Sequence, residues 1–327
     1  MTIRQRQVFD SDHEALRDSV SRFLATEPTD FLGAAAEYGF IGLGAADVED
    51  PRFAAVVLEE AMAAGRPDLA LALAVHDSFA LPLLAGREVG GLAAVVDQAG
   101  VVAEPRAEGW TLRGTAETVI NGLGAEVLVV AARSEDGTEL LFAVDGARVY
   151  REPAEVLLGL GALDLADLEF EGVPVTAADR LEADLARART GYQVALAVAA
   201  MAGARAALAT TVAYVRERKA FGTPIASFGN TRHVLGALGA RIAGAESFVD
   251  AGLARSAELT NAEAAAIKLC ATEILGAAVD TGVQLHGGYG YMWEYPIARA
   301  YAAARFFRVH GGAGEHLDSV LADAIGL

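Results

Sequence analysis

Two short motifs in the C-terminal half combine a guanidinium, aromatic rings and glycines in a pattern that suits anion binding. The first is Arg218-Lys219-Ala220-Phe221-Gly222-Thr223-Pro224-Ile225, which ends a long Ala-rich apolar stretch. Arg218 can present forked donors to a phosphate, and Gly222 permits a close approach of the backbone. The second is Gln284-Leu285-His286-Gly287-Gly288-Tyr289-Gly290-Tyr291. The pair predicts a site for a phosphorylated ligand, although the charges of the first motif also suit a helix end that complements the macrodipole.

Three other kinds of site receive little support from the sequence. His310 and His316 are the nearest pair of histidines, and without a third ligand they do not predict a metal site. Gly287-Gly288-Tyr289-Gly290 follows a predicted helix rather than a strand, so it does not match a Rossmann turn. Cys270 is the only cysteine and lies in an apolar helical segment, where we expect it to pack in a core.

The composition describes an acidic, Ala-rich chain. Of its 327 residues 53% are hydrophobic, and the formal net charge is −18. This charge argues against nucleic acid as a partner, whereas a few local cations can still hold a phosphorylated cofactor. The uncharged apolar stretches are shorter than the ~20 residues of a membrane span, and the first residues lack the apolar core of a secretory signal. With a single cysteine, the chain is therefore expected in the cytoplasm and away from membranes.

Hydrophobic periodicity divides the chain into three parts and predicts an α+β fold that is mostly α. Residues 1–88 show helical patterns, residues 89–182 show short strands with turns, and the helical period returns over residues 183–327. We expect an N-terminal helical domain, a middle antiparallel β-domain and a C-terminal four-helix bundle. The long helices are predicted over Gly191–Lys219, Thr231–Leu259, Asn261–Leu285 and Ile297–Val309. Capping boxes are predicted at Ser11 and Thr260.

With its parts in this order, the sequence resembles the acyl-CoA dehydrogenase family, which are FAD-dependent enzymes. The marks are the two motifs above, with Phe228 and His233 after the first and Glu294-Tyr295-Pro296 after the second. The resemblance covers nearly the whole chain and implies the same three-domain fold. It also implies cofactor-binding residues that contact the adenine-diphosphate part of a FAD held mainly by a neighbouring subunit: Arg218, Phe221, Gln284, Gly287 and Gly288. Gly287 and Gly288 could instead serve only as a helix C-cap.

The resemblance breaks down where the family carries its catalytic base. Family members remove an α-proton from the acyl thioester with a carboxylate, which must lie within hydrogen-bond reach of that carbon. The usual Glu belongs to a Tyr-Glu-Gly-Thr-like stretch, and Gly311 stands at that position here. The family's other base position falls near Tyr192, where the sequence again has no carboxylate. His310 or Glu315 could act as a displaced base, which would make the chain self-sufficient.

Contacts that the family makes with its own flavin ring are also missing. The Trp-Ile-Thr segment that lines the ring is replaced by Thr118-Val119-Ile120, which removes the hydroxyl expected at flavin N5. A loop of sequence Thr-Glu-Pro-Gly-Ala-Gly-Ser-Asp is absent, and the first helical domain is shortened. The sequence therefore keeps the residues that serve a neighbouring subunit and lacks those that would serve its own site.

This asymmetry resembles the shorter, base-lacking subunit of the heteromeric α2β2 steroid-CoA dehydrogenases of actinobacteria. The resemblance implies a homologous catalytic partner that holds most of the FAD and binds the acyl-CoA, and no catalytic residue in this chain. The acyl group of the substrate and the stoichiometry stay open. A flavin-free structural protein with the same fold is the alternative from a different functional class.

Overall fold

The computed structural model of the chain describes residues 6–28, 31–43, 50–84, 86–87 and 89–327. The first five residues and Glu88, the last residue of the predicted N-terminal domain, lie outside the described residues. The chain forms two compact units, each of which combines segments that are distant in sequence. The first comprises Met1–Phe31, Pro51–Ala70 and Thr190–Leu327, and the second comprises Leu32–Asp50 and Leu71–Arg189. The division into three domains stays a prediction.

Long helices make up most of the first unit. Within the described residues, the α-helices of the chain are α1 (Ser11–Leu24), α2 (Phe31–Glu37), α3 (Arg52–Ala63), α4 (Pro67–Val75), α5 (Leu81–Leu84), α6 (Leu185–Glu217), α7 (Gly229–Ala254), α8 (Asn261–His286), α9 (Pro296–Phe307) and α10 (Gly314–Ala324). A π-helical turn over His76–Ala80 joins α4 to α5. The four long helices predicted from the sequence are confirmed as α6 to α9, with shifted ends.

Small side chains let these long helices pack closely. Gly252 on α7 faces Ile267 on α8, and an added Cβ at Gly252 would overlap the isoleucine side chain. Gly282 on α8 meets Ile297 on α9 in the same way. The small residues of the bundle therefore serve close packing, and its many alanines favour the helix itself.

A buried ion-pair network fixes the N-terminal segment to the first unit. Glu59 on α3 is only 2% exposed, and it is paired with the guanidiniums of Arg6, Arg17 and Arg205. Arg6 also pairs with Asp250 on α7. Because an unpaired charge in a protein interior is costly, the buried carboxylate depends on these partners.

The second unit is built around a sheet. Its strands are β1 (Ala93–Val96), β2 (Val101–Arg106), β3 (Gly109–Ile120), β4 (Val127–Ser134), β5 (Glu139–Asp145), β6 (Tyr150–Pro153), β7 (Leu165–Val175) and β8 (Arg180–Leu181). They are ordered β6-β7-β3-β2-β4-β5-β8, and β1 pairs with β4. Most pairs are antiparallel, as predicted, but β4 pairs in parallel with both β1 and β2. Alternating apolar residues form one core, among them Leu112, Phe142 and Phe170.

The two predicted capping boxes have different outcomes. Thr260 caps α8, and the side chain of Glu263 returns to the Thr260 backbone, as predicted. The cap predicted at Ser11 is wrong, because the Asp10 carboxylate accepts the cap hydrogen bonds and Ser11 is already helical. Asp and Ser are equally good N-caps, so adjacent candidates could not be separated from the sequence.

Two helical stretches of the described residues, Pro67–Leu84 and Leu185–Glu217, are long and apolar enough to resemble membrane spans. Burial inside the protein covers 83% and 72% of their apolar windows, respectively. Burial of this extent is typical of the core helices of soluble proteins and accounts for the apolar composition.

Candidate functional site

The first motif forms a β-hairpin directly after the end of α6. The backbone N–H of Arg218 donates to the carbonyl of Tyr214 at 2.8 Å, and the N–H of Ile225 donates to the carbonyl of Arg218 at 2.8 Å. These bonds anchor Arg218 where the hairpin starts, before β9 (Lys219–Ala220) and β10 (Thr223–Pro224). The backbone of Arg218 is thus fixed, while the residue stays exposed.

Phe221 and Gly222 form the tip of this hairpin. Their φ angles are +51° and +81°, as in the tight turns that join twisted strands. Phe221 is 99% exposed, so its ring packs against almost nothing in this chain. A bulky residue in the left-handed region is strained, and nothing that Phe221 packs against within the described residues offsets that strain.

The second motif ends α8. Gln284 lies exposed in the last turn, and its carbonyl accepts from the N–H of the C-cap residue Gly287. Gly287 has a φ of +61°, so the C-cap alternative considered from the sequence is what the backbone adopts at this position. An added Cβ at Gly287 or Gly288 would meet nothing within 4 Å. The backbone of this turn is therefore open to a ligand as well as serving as a cap.

Aromatic contacts join the two motifs. The guanidinium carbon of Arg218 lies 5.4 Å from the centroid of the Tyr289 ring, within the range of a cation–π contact. The Tyr289 ring lies 5.1 Å from that of Tyr295, and Tyr214 stacks on His286 at 4.0 Å. Burial lowers the pKa of His286, which favours a neutral imidazole in this stack. The structure therefore brings Arg218 and the glycine turn of the second motif to one surface.

The charge of Arg218 is not neutralised within this surface. No carboxylate of the described residues pairs with its guanidinium, whereas Arg189 donates to Asp97 at 2.8 Å and Arg255 to Glu263 at 2.9 Å. A guanidinium without a carboxylate partner keeps its donors for an external anion. The residues present thus fit a diphosphate that approaches from solvent.

The two positions that could carry a catalytic base lie side by side. An added Cβ at Gly311 would lie 3.5 Å from the Tyr192 ring and would overlap the side chain of Leu196. Gly311 has a φ of +71°, which disfavours any residue with a side chain. Tyr192 is 2% exposed, and burial raises its pKa, so it does not ionise to serve as a base. Neither position offers a carboxylate, and apolar atoms fill the space where one would lie.

Buried polar groups hold the loop that contains Gly311. The Gln193 amide donates to the carbonyl of Gly311 at 3.2 Å, and the Lys268 amine donates to the carbonyl of Gly312. Lys268 is fully buried, and that burial lowers its pKa to about 8. The loop is therefore fastened from two helices, α6 and α8, by partly or fully buried polar side chains.

His310 and Glu315, the two displaced-base candidates, lie in different surroundings. His310 is half-buried between Phe306, at 5.0 Å, and Tyr192, at 5.7 Å between ring centroids. Burial, and then the charge of Lys268, lowers the pKa of His310 to about 4, so its imidazole is neutral at pH 7. Glu315 is exposed in the first turn of α10. Only His310 is thus in contact with the base region.

In the second unit, burial and hydrogen bonds within the protein hold Thr118, Val119 and Ile120, which stand in place of the family's flavin-lining segment. Val119 and Ile120 are 2% and 3% exposed, so neither presents a polar group. The N–H of Thr118 donates to Asp167 at 2.7 Å, at a φ of +56°. Asn121, with a φ of +64°, is fully buried and donates to the carbonyls of Ala72 and Ala93. Hydrogen bonds within the chain therefore fix the turn between Thr118 and Asn121.

Several of the known proteins similar to this chain share one enzyme class. Residues 186–326 match the family described as acyl-CoA dehydrogenase, C-terminal domain. The mitochondrial long-chain specific acyl-CoA dehydrogenase of Sus scrofa is 27% identical over 379 residues, which cover 98% of this chain and 88% of that protein. Along nearly its whole length, the chain is thus similar to an acyl-CoA dehydrogenase.

Solved structures of two such enzymes share the fold of this chain. An acyl-CoA dehydrogenase from Geobacillus kaustophilus has a TM-score of 0.90 at 22% identity, covering 99% of this chain and 100% of that one. A glutaryl-CoA dehydrogenase from Mycobacterium smegmatis, solved in complex with FADH2, has a TM-score of 0.86 at 18% identity, covering 98% and 96%. The predicted mostly α, α+β fold is thereby confirmed.

Two features of the structure were not predicted from the sequence. Leu196 fills the space beside Gly311, and the guanidinium of Arg218 lies over the ring of Tyr289. Leu196 lies in an apolar helix, where nothing in the pattern separates it from other core residues. An aromatic residue inside the glycine-rich motif was the available signal for Tyr289. Within the described residues, no group of three His, Cys, Asp or Glu side chains could hold a metal ion.

Proposed function

We propose that this chain is a subunit of a heteromeric, FAD-dependent acyl-CoA dehydrogenase whose catalytic centre lies in a homologous partner. In this role Arg218, Phe221, Gln284, Gly287 and Gly288 complete the adenine-diphosphate site of a FAD held mainly by that partner. The reaction is the α,β-desaturation of an acyl-CoA thioester, in which the bound FAD accepts the β-hydride. This chain supplies no base for the α-proton.

One observation carries the proposal: the anion-binding surface is open, while the base position is filled. Arg218 is exposed without a carboxylate partner among the described residues, and Phe221 is 99% exposed at a strained turn. At Gly311, by contrast, an added side chain would overlap Leu196. A homomer would need both halves of the site in one chain. A heteromer needs only the open surface here.

Each residue of the open surface has a definite task in this role. The Arg218 guanidinium donates to diphosphate oxygens, and the absence of side chains at Gly287 and Gly288 lets the same anion approach the backbone of this turn closely. Phe221 covers the nucleotide from the hairpin tip and excludes water. Gln284 adds an amide from the last turn of α8. These contacts bind and orient the cofactor without taking part in proton transfer.

The substrate class rests on the resemblance to the α2β2 enzymes of actinobacteria. We include in the proposal that the acyl group is a steroid side chain and that two copies of each subunit assemble. The loss of the base and the shortened first helical domain support this assignment, because both are features of the shorter subunit in such pairs.

Co-expression tests the proposal. The chain would be produced alone and together with a homologous acyl-CoA dehydrogenase that retains the carboxylate base, and the purified protein examined for flavin absorbance and subunit ratio. We expect no bound flavin in the chain alone and a yellow complex with equal amounts of both subunits. A complex that forms with the same flavin content when Arg218 is replaced by Ala would contradict the proposal.

A self-sufficient enzyme is the second candidate, and the position of His310 favours it. A neutral imidazole lies in contact with Tyr192, next to Gly311, where the family's base is missing. In that case the chain alone would bind FAD and desaturate a thioester, and His310→Ala would abolish the activity. A flavin-free structural protein, the third candidate, would carry no flavin in any combination.

A further inference from the structure

The contact between Arg218 and Tyr289 leaves the guanidinium available to an anion while limiting its motion. The guanidinium carbon lies 5.4 Å from the ring centroid. A cation–π contact engages the face of the guanidinium, whereas hydrogen bonds to phosphate use the N–H groups at its edge. A carboxylate partner at the same place would occupy those N–H groups and cancel the charge.

Neighbouring aromatic residues hold the Tyr289 ring, over which the Arg218 guanidinium lies. Tyr289 lies 5.1 Å from Tyr295, and the Tyr295 ring meets those of Tyr214 and His286 edge-on at 6.4 Å and 6.3 Å. The Nδ1 of His286 is hydrogen-bonded to the carbonyl of Gly282 at 2.7 Å, and the Tyr214 hydroxyl donates a hydrogen bond to the carbonyl of His286 at 3.2 Å. These contacts therefore fix the orientation of the Tyr289 ring.

The overall charge of the protein makes such an arrangement useful. The chain has 44 acidic and 26 basic residues, so an exposed arginine has many carboxylates that could capture it. Arginine also has a large side-chain entropy, which binding would have to remove. A side chain already resting on a ring loses less freedom when the anion arrives.

We propose that Tyr289 is a positioning residue that holds the Arg218 guanidinium in place for the diphosphate of the nucleotide. This inference rests on the proposed function, in which Arg218 binds that diphosphate. Removal of the ring then weakens the binding of an adenine diphosphate by about 2- to 5-fold, the equivalent of an exposed cation–π contact.

The test has two readouts on the full-length chain, neither of which needs catalysis. The first is the dissociation constant of ADP, measured by calorimetry for the wild type, Tyr289→Leu, Tyr289→Phe and Arg218→Ala. The second is the NMR shift of the Arg218 Nε–H proton in the free chain, which the ring current of Tyr289 moves. Tyr291→Leu is the matched control, because Tyr291 lies in the same turn and is 93% exposed.

We expect Tyr289→Leu to bind ADP about 2- to 5-fold more weakly and to lose the ring-current shift. Tyr289→Phe keeps the ring and restores both, which separates positioning from a general loss of structure, and Tyr291→Leu changes neither. Weak binding in Arg218→Ala together with wild-type binding and shift in Tyr289→Leu would overturn this inference alone. ADP binding that is absent in the wild-type chain would overturn this inference, and ADP binding that is unchanged in Arg218→Ala would overturn the proposed function as well.

Discussion

Leu196 occupies the space into which a side chain at Gly311 would project. The Cβ of any residue placed at 311 would overlap the leucine side chain, and the φ of +71° disfavours such a residue further. The absence of a base at this position is therefore built into the packing of α6 against the loop. A single substitution that restores the carboxylate has to displace Leu196 and strain the backbone.

Gly311→Glu is therefore expected to destabilise the protein by about 3 kcal/mol, from overpacking and from the left-handed backbone. Denaturant unfolding measures the effect. Gly314→Glu is the matched control, because an added Cβ at Gly314 meets nothing within 4 Å. In a Leu196→Ala background, Gly311→Glu should cost at least about 1 kcal/mol less, as expected for residues in contact. Equal costs in both backgrounds would show that Leu196 is not the obstacle.

Removal of the buried carboxylate at Glu59 should cost about 3 kcal/mol, because Glu59→Gln leaves the guanidiniums of Arg6, Arg17 and Arg205 without their shared partner. Burial alone would raise the pKa of Glu59, but the three arginines together lower it. A lowered pKa in the folded state means stability that is present above the unfolded pKa of 4.5 and lost as the pH falls below it.

Unfolding free energies measured between pH 7 and pH 3 test this expectation. The wild type should lose stability steeply below pH 4.5, and Glu59→Gln should lose less over the same interval. Glu258→Gln, at an exposed position, is the control. If Glu59→Gln followed the wild-type curve at every pH, the carboxylate would not be ionised and paired in the folded protein.

Because of His310, we expect the free energy of unfolding to decrease as the pH falls from 6.5 to 4. The reason is that the pKa of His310 is lowered from 6.5 to about 4 on folding. In this window the unfolded state binds the extra proton, so stability rises with pH and is lost as the pH falls. His310→Phe, which can keep the ring contacts, should flatten this slope. His76, whose pKa burial lowers to about 4, supplies a separate part of it.

The slope of stability against pH, measured by denaturant unfolding, decides the point. His316→Phe is the matched substitution at an exposed position of α10. An unchanged slope in His310→Phe would mean that folding does not lower the pKa of His310, and that would also remove the burial argument for a neutral His310 in the second candidate function.

At position 121 we expect a glycine substitution to destabilise the protein less than an alanine substitution, which is the reverse of the usual order. Both Asn121→Ala and Asn121→Gly leave the buried carbonyls of Ala72 and Ala93 without a donor, at a cost of about 1–3 kcal/mol. The φ of +64° favours glycine, so Asn121→Gly should be the more stable of the two by about 1 kcal/mol. Thermal or denaturant unfolding would reveal an opposite order, which would contradict the left-handed backbone at this turn.

The fold could be predicted largely from the sequence because its signals are local. The long helices α6 to α9 follow from apolar periodicity, and the cap at Thr260 follows from a side chain three residues away. The parallel pairing of β4 with β1 and β2 has no such local signal, because it joins segments that are distant in sequence. The prediction of Ser11 as the cap of α1 was wrong by one residue, because the adjacent Asp10 is an equally suitable N-cap.

The residues of the candidate site stay a prediction from two sequence motifs, and their contacts could not be predicted from the sequence. The motif around Arg218 and the missing carboxylate at Gly311 are visible in the sequence. The contact of Gly311 with Tyr192 and Leu196, and that of Arg218 with Tyr289, depend on tertiary packing between distant segments. Those contacts decide whether a base could be restored and how the guanidinium is held.

The central claim is that this chain binds part of a nucleotide for a partner and carries out no desaturation by itself. The most direct test is turnover of an acyl-CoA thioester, with FAD and an electron acceptor supplied, by a preparation that contains no second polypeptide. We predict no turnover above the reaction without enzyme. A normal rate of desaturation by the chain alone would contradict the claim and assign the base to a residue of this sequence.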